Sequence, residues 1–148
     1  MKNKTTRIFS IIFCVLFCCS FISCNSAMVA VPETLTRMRS EGKITFQVMD
    51  TAQCESFVSQ IEDEMQETLK GTVVTGYFVQ IKGSAEETCI ILEFQKRSDA
   101  TLTCEAFAAY SNAVDPNVQY YIYNDKVVIG GSKDLTNSII VELVKALK

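Results

Sequence analysis

ITFQVMDTAQCESFVSQIEDEMQETLKG, residues 44–71, changes its period partway through. Between Ile44 and Met49 the apolar Ile44, Phe46 and Val48 alternate with Thr45 and Gln47, the two-residue repeat of a half-buried strand. From Asp50 onward Cys54, Phe57, Val58, Ile61, Met65 and Leu69 fall three and four residues apart, the stripe of a helix laid on a core. Asp50 and Gln53 form a capping-box pair that satisfies free amides of the first turn. Gly71 supplies the left-handed stop.

Working outward, Thr72–Ile81 and Cys89–Phe94 are β-rich runs, and Lys82-Gly83-Ser84-Ala85-Glu86 between them suits a hairpin. Gly76 inside the first run marks a bulge or a close packing contact. Ser98 or Asp99 caps a second helix with Ala100, Cys104, Phe107 and Ala108 on one side. Asn112 to Asn117, with Asp115-Pro116, reads as a loop. Val118–Tyr123 and Lys126–Ile129 form a second hairpin around Asn124-Asp125, both tolerant of the positive φ of a tight turn. Gly130-Gly131-Ser132 opens a final helix carrying Leu135, Ile139, Leu143 and Leu147. The order β-α-β-β-α-β-β-α predicts an α+β two-layer sandwich, an antiparallel sheet with helices on one face. Its first six elements follow the ferredoxin-like split βαβ order, with an extra strand and a C-terminal helix added.

Upstream, Lys2, Lys4 and Arg7 precede the apolar run Ile8–Phe17, which continues through Cys18, Cys19, Ser20, Phe21, Ile22 and Ser23 to Cys24. Positive charges followed by an apolar stretch shorter than the ~20 residues of a comfortable span are the layout of an export signal. Phe21-Ile22-Ser23-Cys24 resembles the lipobox of bacterial lipoproteins, with Phe21 where Leu is usual. The resemblance implies cleavage before Cys24 and attachment of acyl chains, palmitate among them, to that cysteine. An uncleaved anchor helix and a freely secreted chain are the alternatives. The expected organisation is a signal peptide over 1–23, a lipid-attachment site and tether over 24–42 with a short helix around Leu35 and Met38, and one domain over 43–148.

The leader holds three of the 14 basic residues and none of the 17 acidic ones, so residues 24–148 carry a net charge of −6. Such a domain repels phosphate backbones and anionic lipid, which argues against nucleic-acid binding. Of seven cysteines, Cys14, Cys18 and Cys19 lie in the leader as small hydrophobes and Cys24 is the lipid site. Cys54, Cys89 and Cys104 remain in the domain. Three buried thiols, one disulfide with a spare thiol, and a reactive thiol all stay open.

The chain has no His. That removes Ser-His-Asp and Cys-His nucleophile activation and His-based zinc sites. Glu62-Asp63-Glu64 with Glu67 reads as the wet face of the first helix, lacking the Asp/Asn alternation of a calcium loop. Gly130-Gly131-Ser132-Lys133 precedes a helix, where backbone donors attract anions, yet it lacks the length of a phosphate loop. It reads as a turn with Ser132 as the cap. Tyr120, Tyr121 and Tyr123, with Tyr110 before them, make the last hairpin the candidate binding surface, since tyrosine is enriched where proteins recognise partners; core and cross-strand packing is the competing role. Glu87–Phe94 with Lys96, Ser98, Asp99 and Ala100 resembles small lipoprotein domains of no assigned function, which contribute no functional residue.

No cofactor, metal or catalytic residue is expected. The chain reads as a membrane-anchored extracytoplasmic lipoprotein of the cell membrane or outer membrane, acting as a non-catalytic binding module for a protein or small ligand. A structural subunit of an envelope complex, or an envelope enzyme working with carboxylates or Lys, are the competing readings.

Overall fold

The computed structural model describes residues 30–65 and 73–147. The strands are β1 (Ile44–Met49), β2 (Val73–Ile81), β3 (Thr88–Phe94), β4 (Val118–Tyr123) and β5 (Val127–Ser132). The helices are α1 (residues 30–40), α2 (Thr51–Met65), α3 (Arg97–Val114) and α4 (Lys133–Ala146). The strands make one antiparallel sheet in the order β1-β2-β3-β5-β4. The signal peptide, Cys24, Glu67, Leu69 and Gly71 lie outside the described residues, as do the side chains of Ile61 to Met65.

The α+β class and the antiparallel sheet are those the sequence predicts. Two finer features differ. β1 pairs directly with β2, Ile44 opposite Ile81 and Met49 opposite Gly76, so the helix between them reverses the chain without a parallel crossover. The sheet therefore lacks the interleaved strand order of a split βαβ unit. The helices also stand on both faces. α1 and α4 cover one side, where Val31, Leu35, Met38, Leu135, Ile139 and Leu143 meet Ile44, Val79, Ile91 and Ile129. α2 and α3 cover the other, where Cys54, Val58, Ala100 and Phe107 meet Val73, Leu92, Phe94 and Val128. Strand alternation makes this division: Ile91 and Ile129 point one way, Leu92 and Val128 the other.

The short helix expected around Leu35 and Met38 runs over residues 30–40, but it is packed into the domain rather than part of a tether, with Val31, Leu35 and Met38 fully buried. The packed unit thus begins upstream of residue 43. Arg37 holds α1 to α4 through the Glu142 carboxylate at 2.8 Å. Arg39 lies over the Phe46 ring, 4.8 Å from its centre.

Local chemistry sets the ends of the elements. Gln53 N–H donates to Asp50 Oδ1 at 2.8 Å and Asp50 N–H to Gln53 Oε1 at 2.9 Å, the reciprocal cap expected for α2. Asn124 and Asp125 both adopt positive φ, 48° and 65°, which turns β4 into β5. α3 begins two or three residues earlier than expected. Its N-cap is Lys96, without a side-chain cap bond, and Asp99 lies in the first turn, where a carboxylate complements the helix dipole. The helix also takes in residues 112–114, expected as loop, and stops at Asp115 before Pro116.

Gly130 and Gly131, expected as a turn, are strand residues of β5, flanked by Ile90 and Cys89 on one side and Tyr120 and Gln119 on the other. With partners on both sides their backbone is held extended rather than turning. Gly76 marks close packing: a β-carbon there would lie 2.7 Å from Cys54 Sγ of α2. No described helix is long and apolar enough to cross a membrane.

Candidate functional site

On the α2/α3 face, toward one end of the sheet, lies a cleft of about 600 Å³. Its apolar wall comes from three elements: Phe57 of α2, Phe78 of β2 and Tyr120 of β4. Its polar rim comes from the β2–β3 turn and the segment after α3, with Glu86, Glu87, Asp115 and Asn117, and from Ser132 at the end of β5. No Lys or Arg is among its described lining residues.

The aromatic wall is braced from behind. Phe107 of α3 stands edge-on to Phe57 at 5.9 Å between ring centres and edge-on to Tyr120 at 5.1 Å, the arrangement aromatic quadrupoles favour. Gly130 makes room for the Tyr120 ring, since a β-carbon there would overlap it. Gly131, at φ 149°, lies so close to the Thr88 carbonyl that any side chain would collide with it. Together the two glycines let β4 and the start of β3 close around the cleft. Burial raises the Tyr120 phenol above its usual pKa, offset in part by the Ser111 hydroxyl.

The rim is partly committed. Ile81 N–H donates to the Glu87 carbonyl at 3.1 Å, and Glu87 N–H donates to Ser84 Oγ at 3.3 Å, fixing the turn that presents Glu87. Asp115 Oδ1 accepts from Asn117 N–H at 2.8 Å. Two oxygens are uncommitted. Glu87 Oε2 and Ser132 Oγ are sealed from solvent and have no hydrogen-bond partner among the described residues. Ser132 is the N-cap residue of α4, but its hydroxyl makes no cap bond there. Buried oxygens without partners are costly, so a site holding two of them favours whatever supplies donors.

A second hollow, about 460 Å³, lies beside Asp50, Gln53, Ser56 and Phe57. Its best-placed carboxylate and amide are already used in capping α2.

The tyrosine hairpin does not form one surface. Tyr120 turns into the cleft against Phe107. Tyr121 lies exposed on the opposite face, its hydroxyl bonded to Gln119. Tyr123 is buried on the α1/α4 side, its hydroxyl 3.5 Å from the Leu143 carbonyl. Of the candidate binding residues only Tyr120 joins the cleft. Phe57, Phe78, Glu87 and Asp115 carried no functional flag in the sequence, although an apolar Phe78 between two core-facing residues, Tyr77 and Val79, signals a strand covered on both sides.

Cys54, Cys89 and Cys104 are buried free thiols. Burial raises the pKa of all three, that of Cys89 to about 12 despite the Thr136 hydroxyl donating to its sulfur at 3.8 Å. Thiols held protonated are poor nucleophiles. Among the described residues no three His, Cys, Asp or Glu side chains are grouped to hold a metal ion. On the other face, the Glu93 carboxyl is 2% exposed, its Oε1 has no partner, and burial pushes its pKa up to about 7. It does not line the cleft. Comparison with protein-family models, with curated proteins and with solved structures finds no match.

Proposed function

We propose that this chain is a lipoprotein, anchored outside the cytoplasm through acyl chains on Cys24, whose domain is a non-catalytic binding module with its ligand site in the α2/α3 cleft. The observation that carries the binding reading is the cleft itself. It combines a braced aromatic wall with two buried oxygens that have no hydrogen-bond partner among the described residues. Apolar surface with a few convergent polar groups is the usual make-up of a small-ligand site. The absence of His and the protonated state of the buried thiols support a module that binds without reacting.

Anchoring at Cys24 has a geometric consequence. Ala30 and Val31 are already buried in the core. Six residue steps from Cys24 reach at most about 20 Å when fully extended. The domain would ride close to the headgroups rather than on a long tether, and its net charge of −6 would keep it from adhering to anionic lipid.

The competing structural-subunit reading rests on the end of α4, where Val141, Val144 and the C-cap residue Leu147 are exposed at three-residue steps.

Two measurements test the proposal. Mass spectrometry of the mature N-terminus should find acylated Cys24, and Cys24→Ala should abolish it; an unmodified peptide running through Cys24 overturns the anchor. Small-molecule extract of the cell envelope, added to isotope-labelled protein, should shift amide resonances at Thr88, Asn117, Tyr120 and Ser132. Shifts confined to α4 would favour the structural role, and no shift at the cleft would overturn the binding reading.

A further inference from the structure

We propose that the cleft selects a small organic cation, an ammonium group carried on an apolar body. This rests on the cleft being a ligand site and names the class of ligand.

The sign of charge comes first. Glu86, Glu87 and Asp115 line the cleft with no described Lys or Arg among them, in a domain that is already acidic. A ligand carrying negative charge would be repelled there, even though the N-terminus of α4 begins just beyond Ser132. The cationic end of a ligand would be drawn in.

Hydrogen-bond demand comes second. Glu87 Oε2 and Ser132 Oγ are buried and lack partners. The carboxylate oxygen can only accept. A neutral hydrocarbon would leave it unsatisfied, whereas a Glu87 carboxylate turned toward the cleft would meet an ammonium N–H in the stronger, charge-assisted bond.

The wall comes third. Phe57, Phe78 and Tyr120 line the same cleft as Glu87 and Ser132, with Phe107 bracing two of the rings. Aromatic faces attract cations as well as apolar groups. A bare metal ion would gain little from them, and the carboxylates are not grouped to chelate one. The volume, about 600 Å³, exceeds what an ammonium group alone would fill, so the apolar body belongs to the ligand.

The test is a calorimetric titration of the full chain in a non-ionic detergent with four probes: phenethylammonium, 2-phenylethanol, 3-phenylpropionate and calcium. Phenethylammonium should bind at least tenfold more tightly than the alcohol or the carboxylate. Glu87→Gln, which keeps the backbone bonds of the turn, should sharply reduce that preference for the cation over the alcohol. Phe57→Leu, on a half-buried position, should weaken the cation more than the alcohol; it is the second variant should Glu87→Gln fail to fold, as judged by its circular dichroism.

Equal or tighter binding of the alcohol or carboxylate, with amide shifts at Tyr120 and Ser132, would overturn the cation assignment while leaving the cleft as the ligand site. Competition by calcium at lower concentration than phenethylammonium would overturn it in favour of a metal. No binding by any probe would also overturn it, and the envelope-extract experiment then decides the cleft separately.

Discussion

Glu93 should make this protein less stable as the solution becomes more alkaline. The carboxyl lies on β3, between Leu92 and Phe94, and points to the α1/α4 face, opposite Val127 and beside Tyr77. It is 2% exposed, and its Oε1 finds no donor among the described residues. Burial therefore penalises the charged form, and the pKa rises to about 7. In an unfolded chain a Glu ionises near 4.3. The folded state thus keeps its proton where the unfolded state has already released it. Stability is fully present below the unfolded pKa, falls as pH rises toward about 7, and levels off above it. At about 1.4 kcal/mol per pH unit, the loss across that window is roughly 3 to 4 kcal/mol, a large part of the ~5–15 kcal/mol that holds a domain together.

Glu93→Gln isolates the effect. Glutamine has nearly the shape of the protonated acid and does not titrate. Its own hydrogen-bond shortfall is the same at every pH, so it cancels when two pH values are compared. The measurement is urea unfolding followed by far-ultraviolet circular dichroism, suited to a chain without Trp. Between pH 4 and pH 8 the variant should gain roughly 3 kcal/mol on the parent protein. The Tyr77 phenol offers an independent reading. Its pKa is raised first by burial and then by the Glu93 charge, so its ionisation should move down in the variant. A constant stability gap between the two proteins from pH 4 to pH 8 would refute the reasoning.

Three further outcomes follow from packing and capping. Gly130→Ala should destabilise by about 1–3 kcal/mol, because the new methyl overlaps the Tyr120 ring; adding Tyr120→Ala should recover part of the loss in urea unfolding, and an additive double variant would refute the contact. Asp50→Ala should cost about 1 kcal/mol by freeing the Gln53 N–H it accepts from at 2.8 Å, read from thermal unfolding, whereas an unchanged midpoint would mean the cap is dispensable. Cys54, Cys89 and Cys104 are buried and their thiols held protonated, so an aromatic disulfide reagent should label them only as fast as the protein unfolds; immediate labelling of Cys89 in native buffer would contradict its burial.

Elements whose signal is local were legible in the sequence. β1 and the reciprocal Asp50–Gln53 cap depend on residues within a few positions of one another, and the Asn124-Asp125 turn on two adjacent residues. The division of helices between two faces depends on reading both sides of a strand at once. Cys89-Ile90-Ile91-Leu92 is an unbroken apolar run, the mark of a strand covered on both faces. Read only for its β character, it does not distinguish one covered face from two. For residues 30–40 a short helix is legible around Leu35 and Met38, but its burial in the domain is not. Pro32, Glu33, Arg37 and Arg39 break the apolar pattern along the chain, but Val31, Leu35 and Met38 still share one helical face, and that face is fully buried. The Gly130-Gly131 pair has the composition of a turn. It is strand because of contacts distant in sequence, the Tyr120 ring and the Thr88 carbonyl.

The position of the cleft follows from the same two-faced packing. α2 packs on β1 and β2, and α3 on β3, β4 and β5, so the helical cover of this face comes in two pieces. Phe57 projects into the cleft from the first piece, and Asp115 and Asn117 enter it from the chain just beyond the second. Phe78, Ile90, Gly130 and Tyr120 line it from the sheet, where residues of this face would otherwise be covered by helix. Apolar sheet surface left without such cover is costly in water. At the same end the chain leaves a Glu87 oxygen and a Ser132 hydroxyl buried without partners. A ligand with an apolar body and a donor-bearing cationic end would relieve both costs at once. The lining residues run from 57 to 132, on four strands, one helix and the connecting segments. With its parts so far apart along the chain, the site has no sequence motif of its own; Tyr120 and the Gly130-Gly131-Ser132 run are separate local signals that only the fold brings together.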